Sequence, residues 1–345
     1  MAIKKRTRIQ DVAAQAKVSM MTVSRVLNQD AKVSDKTREK VMKVVKELNY
    51  RPNVSARRLA SSKSFFLGLL YDNPSGSYTS QFLLSALKSC RAKGYHLIVD
   101  ECSDYNQKTL DSIKELIEVS RVDGLILLPP ICDNEEIVQV IIDANLPFIR
   151  IAPDTNLTAS PFICMDDYQA SFEVTNRLIE QGHRKIGFII GHPDQGVSRL
   201  RYQGYLDALR SHRINVPPEY IEQGRFDYKS GLDAAMNILS LEDKPTAIFA
   251  SNDDMAAAVL SAANRFKLDV PKKLSVVGFD DTQLASTIWP HLTTVRQPIN
   301  EMAALAIDLL SSGKFADLSL ANKAQFRHVL DFAIIERDST QDITA

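Results

Sequence analysis

The stretch Ser19-Met-Met-Thr-Val-Ser-Arg-Val-Leu-Asn28 gathers Met20, Met21, Thr22, Ser24, Arg25 and Asn28 on one polar and basic face when it is wound as a helix. Val23, Val26 and Leu27 then point inward, and Ser19 can cap the helix start. Just upstream, Ile9, Val12, Ala13 and Ala16 recur at helical spacing, with Val18 left to fill a tight turn. Two short helices so joined form helix-turn-helix geometry, in which the first residues of the second helix meet base edges in the major groove. A second set of reactive groups lies far downstream. The carboxylate pairs Asp166-Asp167 and Asp280-Asp281 each follow an apolar run. Such pairs suit acid/base work, a metal, or the binding of hydroxyls and amines. No nucleophile or histidine lies near them in sequence, which favours hydroxyl or amine binding.

The elements that must position these groups follow from patterning. Ser34 and Asp35 start a further helix whose Val41, Val44, Val45 and Leu48 can close a three-helix core, ended by Asn49-Tyr50-Arg51-Pro52. The basic stretch Asn53–Lys63 reads as a linker. From Phe65 onward, apolar runs alternate with amphipathic ones. Strands are expected at Phe65–Tyr71, His96–Asp100, Gly124–Leu128, Pro147–Ile151, Lys185–Ile190, Tyr220–Gln223, Ala247–Ala250 and Ser275–Phe279. Helices between them (Ser80–Lys93, Gln107–Ser120, Tyr168–Gln181, Tyr202–His212, Gly231–Leu239, Asp254–Phe266) imply parallel sheets covered on both faces. The repetition implies two similar lobes, with a ligand in the crevice at the strand C-termini.

Charge is divided along the chain. The 42 basic and 42 acidic residues cancel overall, yet residues 1–64 carry a net +11 and the remainder a net −11. A basic arm on an acidic body fits a polyanionic partner. The four cysteines lack CxxC spacing, the six histidines lack metal-ligand spacing, and no nucleotide, zinc-protease or nucleophile-elbow motif occurs. No apolar run reaches the length of a membrane span, and the basic N-terminus has no signal-peptide core, so a cytoplasmic protein without a membrane partner is expected.

In order along the chain, these motifs resemble the LacI/GalR family of transcriptional regulators. The resemblance rests on Asp11-Val12-Ala13, Thr22-Val23-Ser24-Arg25-Val26-Leu27-Asn28 and Leu48-Asn49-Tyr50-Arg51-Pro52-Asn53. It continues through Gly182-His183-Arg184-Lys185-Ile186-Gly187-Phe188, Arg201, Gly204-Tyr205, Ala250-Ser251-Asn252-Asp253, Ser275–Asp281 and Gln297-Pro298. It implies an N-terminal all-α helix-turn-helix domain plus an α/β periplasmic-binding-protein-like core of two doubly wound parallel-sheet lobes. The implied domains are a headpiece at 1–52 (motif 9–28) and a hinge helix at 53–63. An N-lobe at 64–164 and 296–324, a C-lobe at 165–295 and 325–338, and a disordered tail at 339–345 complete the chain.

The resemblance also implies roles. Arg25 matches the recognition-helix arginine, whose guanidinium can bridge guanine O6 and N7. Met20 and Met21 occupy variable reading positions and suit apolar contact, such as thymine methyls; a competing reading packs them into the core. Ser19, Thr22, Ser24, Asn28 and Tyr50 match positions that hold phosphates or neighbouring bases. Asn53, Ala56 and Leu59 fall in the hinge helix, where Leu59 matches the residue that wedges between base pairs from the minor groove. Arg201, Asn252, Asp280, Phe226, Gln297 and Asp167 (or Asp166) match effector contacts, and Asp72, Asn73 and Tyr78 should line the entrance. Phe226 or Trp289 can cover the apolar face of a sugar ring. Lys17 stands where the family usually has glycine; if that position needs positive φ, lysine costs roughly 1 kcal/mol.

The expected function is a sequence-specific DNA-binding regulator, a homodimeric repressor of carbohydrate-utilisation genes. It binds double-stranded operator DNA under control of a small sugar or sugar phosphate, with no cofactor, metal or catalysis. A purine or nucleoside effector stays open, as does the different class of a periplasmic-type sugar receptor. The basic arm weighs against the receptor, and the absence of a catalytic constellation weighs against a sugar-modifying enzyme.

Overall fold

The structure is a computed structural model that describes residues 7–27, 33–48, 50, 63–102, 107–313 and 327–344. The chain divides into two units, Met1–Phe65 and Phe66–Ala345. In the first, α1 (Ile9–Ala16), α2 (Met20–Leu27) and α3 (Asp35–Glu47) pack around Val12, Ala16, Val23, Val26 and Val41, each at most 2% exposed. These are the inward positions expected from their helical spacing. The Asp11 carboxylate accepts the Arg8 backbone N–H at 2.7 Å, satisfying a donor at the start of α1.

The second unit holds two six-stranded sheets, ordered β11-β5-β4-β3-β1-β2 and β12-β10-β9-β8-β6-β7. The first contains β1 (Phe66–Tyr71), β2 (His96–Glu101), β3 (Leu125–Leu127), β4 (Phe148–Ile151), β5 (Phe162–Cys164) and β11 (Arg327–Val329). The second contains β6 (Ile186–Ile190), β7 (Ile221–Gln223), β8 (Ala247–Ala250), β9 (Ser275–Asp280), β10 (Thr293–Arg296) and β12 (Ala333–Ile335). Among the described residues all ladders are parallel except that of β10 with β12. Between strands lie α4 (Gly76–Lys93), α5 (Gln107–Glu118), α6 (Glu135–Asp143), α7 (Asp167–Glu180), α8 (Gly196–Ser211), α9 (Tyr228–Ser240), α10 (Asp253–Arg265) and α11 (Ile299–Ser311). Helices cover the sheets, so central strands such as β3, β4 and β8 are apolar at nearly every residue and fully buried.

Two boundary expectations are corrected. The segment 325–338 does not belong wholly to the C-lobe, because Arg327–Val329 pairs with Phe162–Cys164 in the first sheet and the chain crosses only before β12. A three-residue strand carries no pattern of its own; its partner decides its place. The tail at 339–345 is ordered as far as it is described. Ser339 is buried, its hydroxyl donates to Val276 O (2.6 Å) and accepts Thr293 N–H (2.8 Å), and Ile343 N–H reaches Gln181 O (2.8 Å). A polar sequence looked solvated, but Ser339 meets the backbone of β9 and β10, interior strands of the second sheet.

Candidate functional site

In the headpiece unit, Ser19 Oγ accepts the Thr22 backbone N–H at 3.1 Å, the expected cap of α2. Lys17 adopts the left-handed conformation at φ 50°, so the turn does need positive φ and lysine carries the strain there. Met20 and Met21 are 49% and 65% exposed, which removes the core-packing reading, while Val23 and Val26 fill the interior. Arg25 shares the exposed face, and Thr22 and Ser24 are partly exposed. Tyr50 packs its ring against the headpiece core, and burial raises its phenol. Asn28, Asn53, Ala56 and Leu59 lie outside the described residues.

In the second unit, a cleft opens between the lobes, at the C-terminal ends of the parallel strands. From the N-lobe come Asn73, Ser75 and Tyr78 after β1, Pro129 after β3 and Ala152 after β4; from the C-lobe come Gln195, Val197, Arg201, Phe226, Asn252, Asp280 and Gln297. The structure therefore brings together seven residues singled out from sequence: Asn73, Tyr78, Arg201, Phe226, Asn252, Asp280 and Gln297. Asp72 is partly buried beyond β1 and is not in the lining. Trp289 is 76% exposed, edge-on to His291, and covers nothing in the cleft. Ser75, Pro129, Ala152, Gln195 and Val197 went unnoticed, because nothing in their type or spacing marks them until strand order brings their segments together.

Asp167 stands one layer behind the lining. It receives Arg201 Nε at 2.8 Å and Arg201 Nη2 at 2.7 Å, and both side chains are almost fully buried. Its neighbour Asp166 caps α7 by accepting Gln169 N–H, so of the two carboxylates it is Asp167 that pairs with Arg201, and neither lies in the cleft lining. Burial raises the Asp167 carboxyl above its ordinary range, and the Arg201 charge opposes that rise. Arg201 also donates to Ser251 O at 2.6 Å and lies 3.7 Å from the Phe279 ring centroid. The Asp280 carboxyl is pushed well up, first by burial and further by Asp253. Gln297 Nε2 donates to its Oδ1 at 2.6 Å. Asp280 sits at φ 117°, a strained backbone conformation held by β9 on one side and the Asp281 pairs with Arg296 and Arg337 on the other.

Asn252 is spent partly on architecture: its Oδ1 caps α10 at Met255 N–H, and its Nδ2 donates to Phe226 O, both at 2.9 Å. That bond holds Phe226, itself at φ 62°, over the cleft. The lobes also meet directly. Ser75 and Ser77 donate to Asp254 at 2.7 and 3.0 Å, and Arg199 donates to Asp154 at 2.6 Å.

Residues 8–53 match the family model for bacterial regulatory proteins of the lacI family, and residues 175–340 match a periplasmic binding protein-like domain. Catabolite control protein A of Priestia megaterium is 32% identical over 325 residues, spanning 94% of this chain and 97% of the relative. The chain belongs to the lacI family of bacterial regulatory proteins. As a lacI-family member it is a DNA-binding transcriptional regulator with a periplasmic-binding-protein-like core. Among solved structures, a complex of the transcriptional regulator CelR with cellobiose matches with a TM-score of 0.72 at 26% identity, covering 97% of this chain and all of the other. The lac repressor dimer bound to operator and the anti-inducer ONPF matches with a TM-score of 0.71 at 27% identity, covering 98% of this chain and 100% of that one. Among the described residues no helix is long and apolar enough to cross a membrane, and no group of side chains is arranged to hold a metal.

Proposed function

We propose that this regulator is a cytoplasmic, homodimeric repressor of carbohydrate-utilisation genes, whose operator affinity is set by a small sugar or sugar phosphate bound between the lobes. The carrying observation is the cleft, where Asp280, Asn252, Gln297 and Arg201 converge around the Phe226 ring. Carboxylate, amide and guanidinium groups can each bridge neighbouring hydroxyls, and the ring suits the apolar face of a pyranose. That similar proteins are solved in complex with cellobiose and with ONPF supports a small-molecule effector. The reading includes no catalytic activity.

On the DNA side, Arg25 is assigned to a guanine edge, Met20 and Met21 to apolar base contacts, and Ser19, Thr22, Ser24, Asn28 and Tyr50 to phosphates and flanking bases. Asn53, Ala56 and Leu59 are assigned to a hinge helix that orders on the minor groove. Effector binding shifts the lobes and changes the stability of that ordered hinge, which couples the two sites. The test is a gel shift on fragmented genomic DNA with and without a panel of sugars. A discrete set of fragments should be retained over competitor and released by one ligand; retention of no fragment above competitor overturns the reading.

A further inference from the structure

We propose that the ligand-free core is held closed by two reciprocal clasps, in which Asp154 of the N-lobe and Asp254 of the C-lobe each set a carboxylate against the first turn of a helix in the other lobe. The lobes are joined by three short crossings, Met165-Asp166, Gln297-Pro298 and Leu330-Asp331-Phe332, so a swing about these few residues is the motion that opens the cleft. The clasps oppose that swing. They act before any effector arrives, whatever its chemistry, and set how readily the core changes state.

Two helix N-termini meet at Asp254. It is the second residue of α10, and its carboxylate accepts Ser75 Oγ–H at 2.7 Å and Ser77 Oγ–H at 3.0 Å, from the cap and the first turn of α4. The positive ends of two helix dipoles brought together repel, and one carboxylate between them stabilises both. The Ser75 hydroxyl is aimed. Asn73 Oδ1 accepts the Ser75 N–H at 2.9 Å, and Ser75 Oγ accepts the Tyr78 N–H at 3.2 Å, which leaves its single hydrogen for Asp254. Both Asp254 oxygens are therefore engaged from the opposite lobe by charge-assisted bonds.

At α8 the roles of the lobes are reversed. Its N-cap residue, Gln195, makes no side-chain capping bond. The carboxylate comes from the N-lobe instead: Asp154 Oδ2 lies 2.7 Å from where a Gly196 Cβ would stand, and Oδ1 accepts Arg199 Nη2–H at 2.6 Å. Arg199 is largely exposed, so that pair alone contributes little. The weight falls on a carboxylate preset at a helix start. Asp133 does the presetting, accepting the Asp154 N–H on both oxygens at 3.0 Å and the Thr155 N–H at 2.8 Å. Arg150, 1% exposed, donates to Thr155 O at 3.0 Å and Asn156 O at 2.6 Å. A buried guanidinium is costly unless its bonds are made, and here they are made to the loop that carries Asp154.

Because both clasps resist one swing, they are coupled. Opening the lobes parts Asp254 from α4 and Asp154 from α8 together, so loss of either clasp favours the open form at the other. Two unrelated surface contacts lack this property, since each loosens only its own turn. Where effector binding moves the lobes, it acts on both clasps at once. Asp154 and Asp254 are then positioning residues for the change that the operator senses.

The test is hydrogen exchange, read by mass spectrometry on the full-length, ligand-free protein. Asp154→Ala should raise exchange about tenfold in the peptide holding Tyr78 and Thr79, and Asp254→Ala about tenfold in the peptide holding Ser198. Each effect falls at the clasp the substitution does not touch. The buried strands β3 and β8 should stay unchanged. Where they rise as well in an aspartate variant, Ser77→Ala decides, because it strips one bond and disturbs no charge; about threefold is expected at Ser198. Exchange raised only beside the substituted residue, or nowhere, overturns the proposal. A gel shift without ligand gives the second readout: both aspartate variants should move operator affinity in the same direction. Opposite directions overturn the shared swing, and unchanged affinity in both removes the clasps from operator control. A protein that binds no sugar yet shows the cross-lobe exchange refutes the effector reading and leaves the clasps standing.

Discussion

Asp154 of one lobe occupies the space in which Gly196 of the other lobe would carry a side chain, with 2.1 Å between Asp154 Cβ and the ideal Cβ position. No real pair of carbon atoms approaches so closely, so the lobes can meet here only because residue 196 is glycine. Gly196→Ala is expected to lower stability by about 1–3 kcal/mol through overpacking. Asp154→Gly in the same chain should restore most of it. Urea unfolding of both single variants and the double variant measures the coupling, and simple additivity would refute the contact.

The Arg201–Asp167 pair is buried on both sides. Removing either partner strands the other, with an expected loss of about 3–5 kcal/mol in Arg201→Ala. Asp167→Asn should cost less, since the amide oxygen still accepts. If the cleft is the effector site, Arg201→Ala protein kept below its melting temperature should hold operator DNA and ignore the ligand. Retained induction in a gel shift would exclude Arg201 from that site.

Asp253 gives a pH signature. Burial raises its carboxyl to about 7, although Thr294 Oγ1 and the Thr282 N–H and hydroxyl donate to it. Gly278 makes room for it, since a Cβ there would lie 2.4 Å from Asp253 Oδ1. An acid whose folded pKa lies above its unfolded value holds its proton better in the native state, so native stability falls as pH rises from about 4 to about 7 and levels off above. Buried His183, whose pKa is lowered by burial, acts in the opposite sense below its ordinary 6.5. The Asp253 contribution is therefore isolated as the difference between wild type and Asp253→Asn. Melting temperatures from pH 4 to 8 should fall more steeply with pH in the wild type; parallel curves would show that Asp253 does not titrate in this window.

For the headpiece, Lys17→Gly relieves the left-handed strain at φ 50° and should stabilise Met1–Phe65 by up to about 1 kcal/mol. Thermal unfolding followed by circular dichroism reads this, and a destabilised variant would show that the lysine stem contributes packing that outweighs the strain.

Arg25→Ala should abolish discrimination between operator and competitor DNA while leaving titrated ligand affinity unchanged. Unaltered sequence preference in binding-site selection would refute its assigned contact.

Much of this was legible in the linear chain. Eight strands were placed to within a residue at either end; the central ones read as apolar runs because they are covered on both faces, whereas the edge strands β2 and β7 are not. Four strands were not: β5, β10, β11 and β12 lie outside the regular alternation of apolar run and helix that marked the other eight. The cleft residues found in advance came from motif order rather than from pattern. Trp289 shows the limit, since an aromatic suits a sugar face in composition but projects away from the cleft, edge-on to His291.

Periodicity and charge along the chain determined the helix-turn-helix headpiece, the basic arm and the paired α/β lobes, since each is a local property of neighbouring side chains. Tertiary structure decided which carboxylate of Asp166-Asp167 pairs with Arg201, which loops close over the cleft, where Arg327–Val329 belongs, and that Ser339 is buried. Those outcomes depend on groups brought together from distant strand ends, where burial and electrostatics act across space and leave no trace in spacing.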